Sequence, residues 1–531
     1  MRFGAANRSG STTAPWIALA GMGVIAALLA LIGLGDLPLR DFDEATVARV
    51  AFELRHELGE APLLPTLWGS PYLNKAPGLH GLIAGLIRVT TPADELPAEW
   101  VVRLVPAGLS CLVVPIGGWL QWRLRPGDRA SAVATSVILL SLLPVARHGR
   151  LAMLDGTQLT AMALLWLAVL ELHSSQRSGY WGLTAGLMAS TMLLLKAPLL
   201  VPCGMAAGIA VVWGQEWKTW KLASAGAGLV IGLLPGMGWH LWHAHIRGAQ
   251  AFWLWGGDGA GRVLLDAGEG SDLGWRVPVI EMLEGGWPWL PLFPIALLWA
   301  WRSRRSRWGR WSVATLVTLA GAILPLRTQL PWYSHPLWLP VALLCAPLLV
   351  WLVERPRSSD AGATPPCRWL LLRLPLFWAS LGLLLLVGFG SSFSSLASDL
   401  VPYRNLALVL GLGWCAGGWW LRSSTPKHRR IGVISLVSGT VAALALLFHS
   451  PLWLWELNES WAVKPVAALA SAASGEPLLL KGYDERPSLN WYAQRRIQRF
   501  EGDAGWRLSD KPQEGCLVRG RAGRWTLADC R

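Results

Sequence analysis

Long apolar runs recur along this 531-residue chain, separated by short polar connections. A helix needs about 20 residues to cross roughly 30 Å of hydrocarbon. Runs of that order lie near 15–35, 100–121, 131–147, 157–172, 180–196, 198–213, 222–243, 287–301, 311–326, 333–353, 370–388, 403–421 and 431–449, and they predict about 13 transmembrane helices. Two of them abut at Lys196-Ala197-Pro198, where a proline turn must separate them. Two stretches follow other patterns. Between Leu39 and Leu58, the residues Val47, Val50, Ala51, Leu54 and Leu58 recur at helical spacing with Arg49, Glu53, Arg55 and Glu57 between them, which predicts an amphipathic helix in the membrane interface. Beyond 450, segments such as Lys481 to Pro487 and Arg495 to Arg499 are too polar to span, while Leu478-Leu479-Leu480 and Cys516-Leu517-Val518 read as short strands. The predicted fold is therefore an all-α polytopic membrane protein. Residues 1–450 form the transmembrane domain, with a first outer loop at 36–99, and 451–531 form a small soluble α/β domain docked on the outer face.

Composition supports the membrane assignment, since 53% hydrophobic and 15% charged residues leave too much apolar surface for one soluble core. The net charge of +14 does not read as a nucleic-acid footprint, because the basic residues sit in short connections instead of on one face. Arg123, Arg125 and Arg129, Lys218 and Lys221, Arg302 to Arg307, Arg355 and Arg357, and Lys427, Arg429 and Arg430 all fall on one side if the N-terminus is cytoplasmic. The loops 36–99, 148–156, 244–286, 327–332, 389–402 and the tail are then outside, facing the periplasm of a bacterial-type inner membrane. The first run lacks a small-residue cleavage site and is expected to stay as a membrane helix. Of the seven cysteines, Cys111, Cys203, Cys345 and Cys415 lie in apolar runs and Cys367 in a cytoplasmic connection, so packing is their expected role. Cys516 and Cys530 share the outer tail, where an oxidising compartment would permit a disulfide. No C-x-x-C or H-E-x-x-H pattern and no internal repeat occurs, and the 35 tryptophans fit interfacial belts.

The outer loops hold the candidate chemistry. Asp41-Phe42-Asp43-Glu44 follows the first run directly, with helix capping as the other reading open to its carboxylates. In chain order come Pro71-Tyr72-Leu73-Asn74-Lys75-Ala76-Pro77, Arg147-His148-Gly149-Arg150 through Met153-Leu154-Asp155-Gly156, Leu195-Lys196-Ala197-Pro198, Gly257-Asp258-Gly259-Ala260-Gly261-Arg262 and Gln329 to Pro336. Together these motifs resemble glycosyltransferases of the C-type fold, in the branch of protein O-mannosyltransferases and lipid A 4-amino-4-deoxy-L-arabinose transferases. The resemblance covers roughly the first 350 residues, with Ser488-Leu489-Asn490-Trp491-Tyr492 similar to the family's tail motif.

The resemblance implies transfer of a sugar from a polyprenyl-phosphate donor to an envelope acceptor, whether lipid A, another glycolipid or glycan, or a protein, with inversion at the anomeric carbon. Cations must meet a phosphate whose charge grows as the bond breaks, which points to Lys75, Lys196 and Arg262. Asp43 is expected to take the acceptor proton or stabilise positive sugar character, and Asp155 to orient a cation or hydroxyl. Glu44, Tyr72, Arg150, Asp258 and Tyr333 complete the expected donor-binding set. Two departures bear on the metal and the acceptor. Asn74 stands where relatives often carry an acid before the lysine, so a divalent metal stays open but disfavoured and no cofactor is assigned. Thr46 stands where an arginine is expected after Asp43-Glu44-Ala45. Two other classes remain on the page: a transporter or flippase of lipid-linked sugars, which would call for polar residues at mid-membrane, and a non-catalytic membrane assembly subunit, for which the departures would be decay.

Overall fold

The computed structural model describes residues 14–56, 61–174, 177–219, 221–257, 261, 273–355, 364–390, 398–454, 462–473, 478–481, 485–500, 505–511 and 515–530. The chain divides into two compact units. One comprises Met1–Ile32, Ala107–Gly149 and Leu154–His449; the other comprises Gly33–Pro106, Arg150–Met153 and Ser450–Arg531. The first outer loop and the tail, which begins at Ser450, thus belong to one unit.

The first unit is helical, and helices occupy each apolar interval read from the sequence. Among the described residues, five helices are by themselves long and apolar enough to cross a membrane: Glu99–Leu124, Ser178–Gly214, Pro331–Glu354, Arg368–Gly390 and Pro426–Phe448. A sixth arises if Arg129–Ser141 and Leu143–Arg150, which meet at 61°, count as one broken span. Pro144 follows this break, where a ring without an N–H cannot continue the preceding ladder. Val230, Ile231 and Leu234 on one helix and Leu383, Leu384 and Val387 on another stay exposed. Apolar faces of this kind fit hydrocarbon, and the protein is a multi-pass membrane protein.

The element Ser178–Gly214 carries one non-helical residue, Lys196, with φ −123° and ψ 82°. A straight helix would hold Gly182 and Val212 about 45 Å apart, at 1.5 Å per residue. Instead both line one cavity together with Leu172, Trp217 and Ala225. The element is therefore a helical hairpin with Lys196 at its apex, as the Lys196-Ala197-Pro198 break predicts. Its first limb runs parallel to the helix Leu222–Arg247: Ser190 Oγ accepts the Gly236 N–H, and His240 Nε2 lies 3.3 Å from the Leu193 carbonyl oxygen. Its second limb follows the helix Leu154–Ser174, with Gln158 Nε2 3.3 Å from the Lys196 carbonyl oxygen and Trp166 Nε1 donating to Cys203. Backbone against backbone is possible along the first seam because Gly182, Gly186, Gly228 and Gly232 face one another, and any Cβ there would meet main-chain atoms.

The second unit begins with the helix Asp43–Arg55, the two-stranded hairpin β1 (Thr66–Leu67) and β2 (Ser70–Pro71), and the helix Gly78–Thr90. Val47, Val50 and Ala51 are buried as their spacing predicts. Glu53 shows what the polar side of this helix packs against. Its side chain is fully buried, paired with Arg49 Nε at 2.6 Å, and accepts from Thr66 Oγ1, Trp68 N and Gly69 N. The helix therefore packs within protein, tied to the hairpin through its polar side. In the tail, β3 (Leu478–Lys481), β4 (Gln498–Phe500), β5 (Trp506–Ser509), β6 (Leu517–Ala522) and β7 (Trp525–Asp529) form one sheet in the order β4-β3-β5-β7-β6. The pairs β3/β4 and β3/β5 are parallel, and the other two are antiparallel. Val466 and Ala470 of the helix Val463–Ser471 pack with Leu480, Leu508 and Leu527 of the sheet in its core. A disulfide joins Cys516 and Cys530, whose Cα atoms are 4.5 Å apart.

Candidate functional site

In the second unit the acidic turn is built around Phe42, whose φ of +55° is a costly conformation for a side-chain-bearing residue. The helix begins at Asp43, and its N-cap residue, Phe42, makes no side-chain cap bond. Capping falls to Asp41 and acts on a different helix: its Oδ1 accepts from the Ser488 N–H at 2.9 Å and from the Ser488 hydroxyl at 2.6 Å, in the first turn of Pro487–Ala493. Burial raises the Asp41 carboxyl above its ordinary value, against the opposing pull of Ser488, Arg486 and Arg40.

Glu44 is enclosed completely. Arg103 grips it through Nε to Oε1 and Nη2 to Oε2, both at 2.8 Å, and the N–H groups of Arg40 and Ala152 donate to it at 3.0 and 2.8 Å. Burial alone would raise its pKa, but the Arg103 charge and these bonds outweigh that and hold it below the usual carboxylate range. Arg103 also donates to the carbonyls of Leu34, Leu37 and Pro38. Glu44 was expected in the donor-binding set; its geometry is that of a clamp on the loop's entry, with no face open to a ligand. Arg103 is the residue of this clamp that sequence reading misses, because its pairing with Glu44 spans 59 positions. Arg150 lies in the same unit with its guanidinium 4.3 Å from the Trp453 ring centroid.

Tyr72 is largely buried, and burial together with the Asp43 charge pushes its phenol pKa up, so the two side chains sense each other. His80 stacks edge-on to Tyr72 at 5.8 Å and places Nδ1 3.1 Å from the Ala76 carbonyl oxygen. Burial, reinforced by the Lys75 charge, lowers its pKa to about 4, so the ring is neutral at neutral pH. Asp43, Tyr72 and Lys75 thus fall in one neighbourhood of this unit, with His80 as a member that sequence reading did not single out.

In the first unit, Asp155 opens the helix Leu154–Ser174 and receives the apex lysine: Lys196 Nζ stands 2.6 and 2.8 Å from its two oxygens. Lys196 Nζ is also 5.7 Å from the Tyr333 ring centroid. Asp155, Lys196 and Tyr333, far apart in sequence, come together. Beside them His335 is buried, 5.7 Å from His148 between ring centroids. At the other end of the same helix Glu171 pairs with Arg123, about 24 Å away at 1.5 Å per residue. The basic connections gather at that end: Arg125 lies over Trp308, and Arg307 and Arg310 pair with Glu216. Asp258 and Arg262 lie outside the described residues. Among the described residues no group of three or more His, Cys, Asp or Glu side chains is arranged to hold a metal ion.

This architecture has a known counterpart. The crystal structure of ArnT from Cupriavidus metallidurans bound to undecaprenyl phosphate is similar over 97% of both chains, with a TM-score of 0.70 at 15% identity. The apo structure of the same protein gives 0.69 over the same shares. The fold is the C-type glycosyltransferase fold. In sequence, 259 aligned residues are 29% identical to the undecaprenyl phosphate-alpha-4-amino-4-deoxy-L-arabinose arabinosyl transferase of Erwinia tasmaniensis, covering 43% of this chain and 42% of that relative. The match thus spans less than half of the relative's length. No protein-family model matches the chain.

Proposed function

We propose that the protein is a membrane glycosyltransferase that moves a sugar from a polyprenyl-phosphate donor to an acceptor of the cell envelope, working on the periplasmic face of a bacterial inner membrane. The observation that carries this reading is Lys196: a cation fixed at a hairpin apex, held by Asp155 beside Tyr333, at the helix end away from the basic connections. The C-type fold and the similarity to an arabinosyl transferase support it.

In this reading an acceptor hydroxyl attacks the anomeric carbon, the bond from that carbon to the phosphate oxygen breaks, and the polyprenyl phosphate leaves with the bonding electrons. Asp43 takes the proton of the attacking hydroxyl, and the anomeric centre inverts. Lys196 is assigned to the phosphate, where a preorganised cation stabilises charge that grows in the transition state, and Lys75 remains a candidate donor contact. Asp155 holds Lys196 in place, Tyr72 is assigned to the donor near Asp43, and Glu44 keeps the loop closed through Arg103. Arg150, Asp258 and Arg262 remain candidate donor contacts. The test is transfer of label from defined polyprenyl-phosphate sugars to envelope extracts, with lipid A as the first acceptor, by purified protein in liposomes. Labelled product with wild-type protein and none with Asp43→Asn is the expected result; no product from any donor and acceptor pair overturns the reading.

A further inference from the structure

The backbone on either side of Asp43 is anchored from two directions, and one of them is the tail. Upstream, the Leu39 N–H donates to Tyr492 Oη at 2.7 Å, and that hydroxyl donates to Glu99 Oε1 at 2.9 Å. At Asp41, one carboxylate oxygen receives both the N–H and the hydroxyl of Ser488, while Arg486 Nη1 stands 3.5 Å from the other. Downstream, Glu44 is locked by Arg103. Phe42 and Asp43 are the two residues between these fixed points, and Phe42 holds its left-handed conformation there. Such a conformation persists only where the surroundings over-determine it. The anchor on the Asp41 side comes from 447 residues away in sequence. It lies in Ser488-Leu489-Asn490-Trp491-Tyr492, the tail motif for which the transfer chemistry has no role.

We propose that Ser488 and Tyr492 are positioning residues for Asp43: the C-terminal domain holds Asp41 and Leu39 and thereby sets where the Asp43 carboxylate stands. The inference rests on the transferase reading of Asp43. A carboxylate acting as base must meet the acceptor hydroxyl at hydrogen-bond distance, and loss of alignment by an ångström costs about 100-fold in rate. Neither residue touches substrate in this account, so their loss moves turnover and leaves donor binding alone.

The experiment uses full-length protein in liposomes. Ser488→Ala and Tyr492→Phe are expected to lower kcat by roughly 10- to 100-fold, with the donor KM within about two-fold of wild type. Ser488→Thr, which keeps the hydroxyl, is expected to restore most of the rate. In an Asp43→Asn background Ser488→Ala is expected to cause no further loss, because it acts only through the missing carboxylate. Amide exchange of residues 39–45 is expected to quicken in Ser488→Ala. If Ser488→Ala fails to fold, Tyr492→Phe carries the same measurements. Unchanged kcat in the folded variants, or a Ser488→Ala loss that multiplies that of Asp43→Asn, overturns the proposal. Should wild-type protein transfer no sugar, the transferase reading fails separately. Exchange at 39–45 then decides the anchoring: faster exchange upholds it, and unchanged exchange overturns it.

Discussion

Asp43 and Glu44 are adjacent acids that meet opposite surroundings. Glu44 is spent on Arg103, so Glu44→Ala leaves a buried guanidinium uncompensated and should cost about 3–5 kcal/mol, read as a drop in thermal stability. Asparagine at position 43 keeps the size of aspartate and caps a helix nearly as well. Asp43→Asn should therefore leave unfolding unchanged while transfer falls about 10²- to 10⁴-fold, the usual loss for a positioned base; transfer at the parental rate by folded Asp43→Asn protein would remove Asp43 from the chemistry. His80 adds a pH signature. Its folded pKa of about 4 lies below the free value of 6.5, so the unfolded chain binds the extra proton between them. Its contribution is present above about pH 6.5 and is lost as pH falls towards about 4, up to about 3 kcal/mol. His80→Phe should flatten the stability profile in that window, and an identical profile would contradict the neutral buried ring. The sequence marked Asp43, Tyr72 and Lys75 because a motif names them. It could not mark Arg103 as the partner of Glu44, since a pairing across 59 positions leaves no local pattern.

At the scale of elements, periodicity and proline did much of the work. The Lys196-Ala197-Pro198 break predicted a reversal, and the register of the two limbs against their neighbours supplies it. The strands at 478–481 and 517–522 were legible as short apolar runs between polar ones. The helix Asp43–Arg55 was legible as a helix but not in its environment: a buried Glu53 looks like one more surface charge until Thr66, Trp68 and Gly69 are brought to it. The glycine seam of the first limb offers a direct test. A side chain at Gly232 would meet the Leu183 carbonyl and the Leu187 nitrogen, main-chain atoms that cannot swing aside. Gly232→Leu should cost at least the roughly 1–3 kcal/mol typical of overpacking, checked as a broadened peak of lower yield on size exclusion. Gly226→Leu on the same helix, where nothing lies within 4 Å, should leave the peak unchanged and serves as control.

For the molecule as a whole, the placement of charge sets the orientation, and it can be checked without knowing the substrate. The helix Leu154–Ser174 has Asp155 and Lys196 at one end and the Glu171–Arg123 pair at the other. Arg125, Arg307 and Arg310 join that second end through Trp308 and Glu216. Short basic loops remain on the cytoplasmic side during insertion, so the Arg123 end should be cytoplasmic and the Lys196 end periplasmic. Reporter fusions truncated after Arg307 and after Lys427 should then score cytoplasmic, and fusions after Gly248 and at Arg531 should score periplasmic. The hairpin sharpens this expectation. Were Ser178–Gly214 a single crossing, the side of every later loop would invert, and Arg307 and Lys427 would score periplasmic. A reporter result of that kind would refute the reversal at Lys196 and, with it, the placement of Asp155, Lys196 and Tyr333 on the face where a lipid-linked donor is proposed to react.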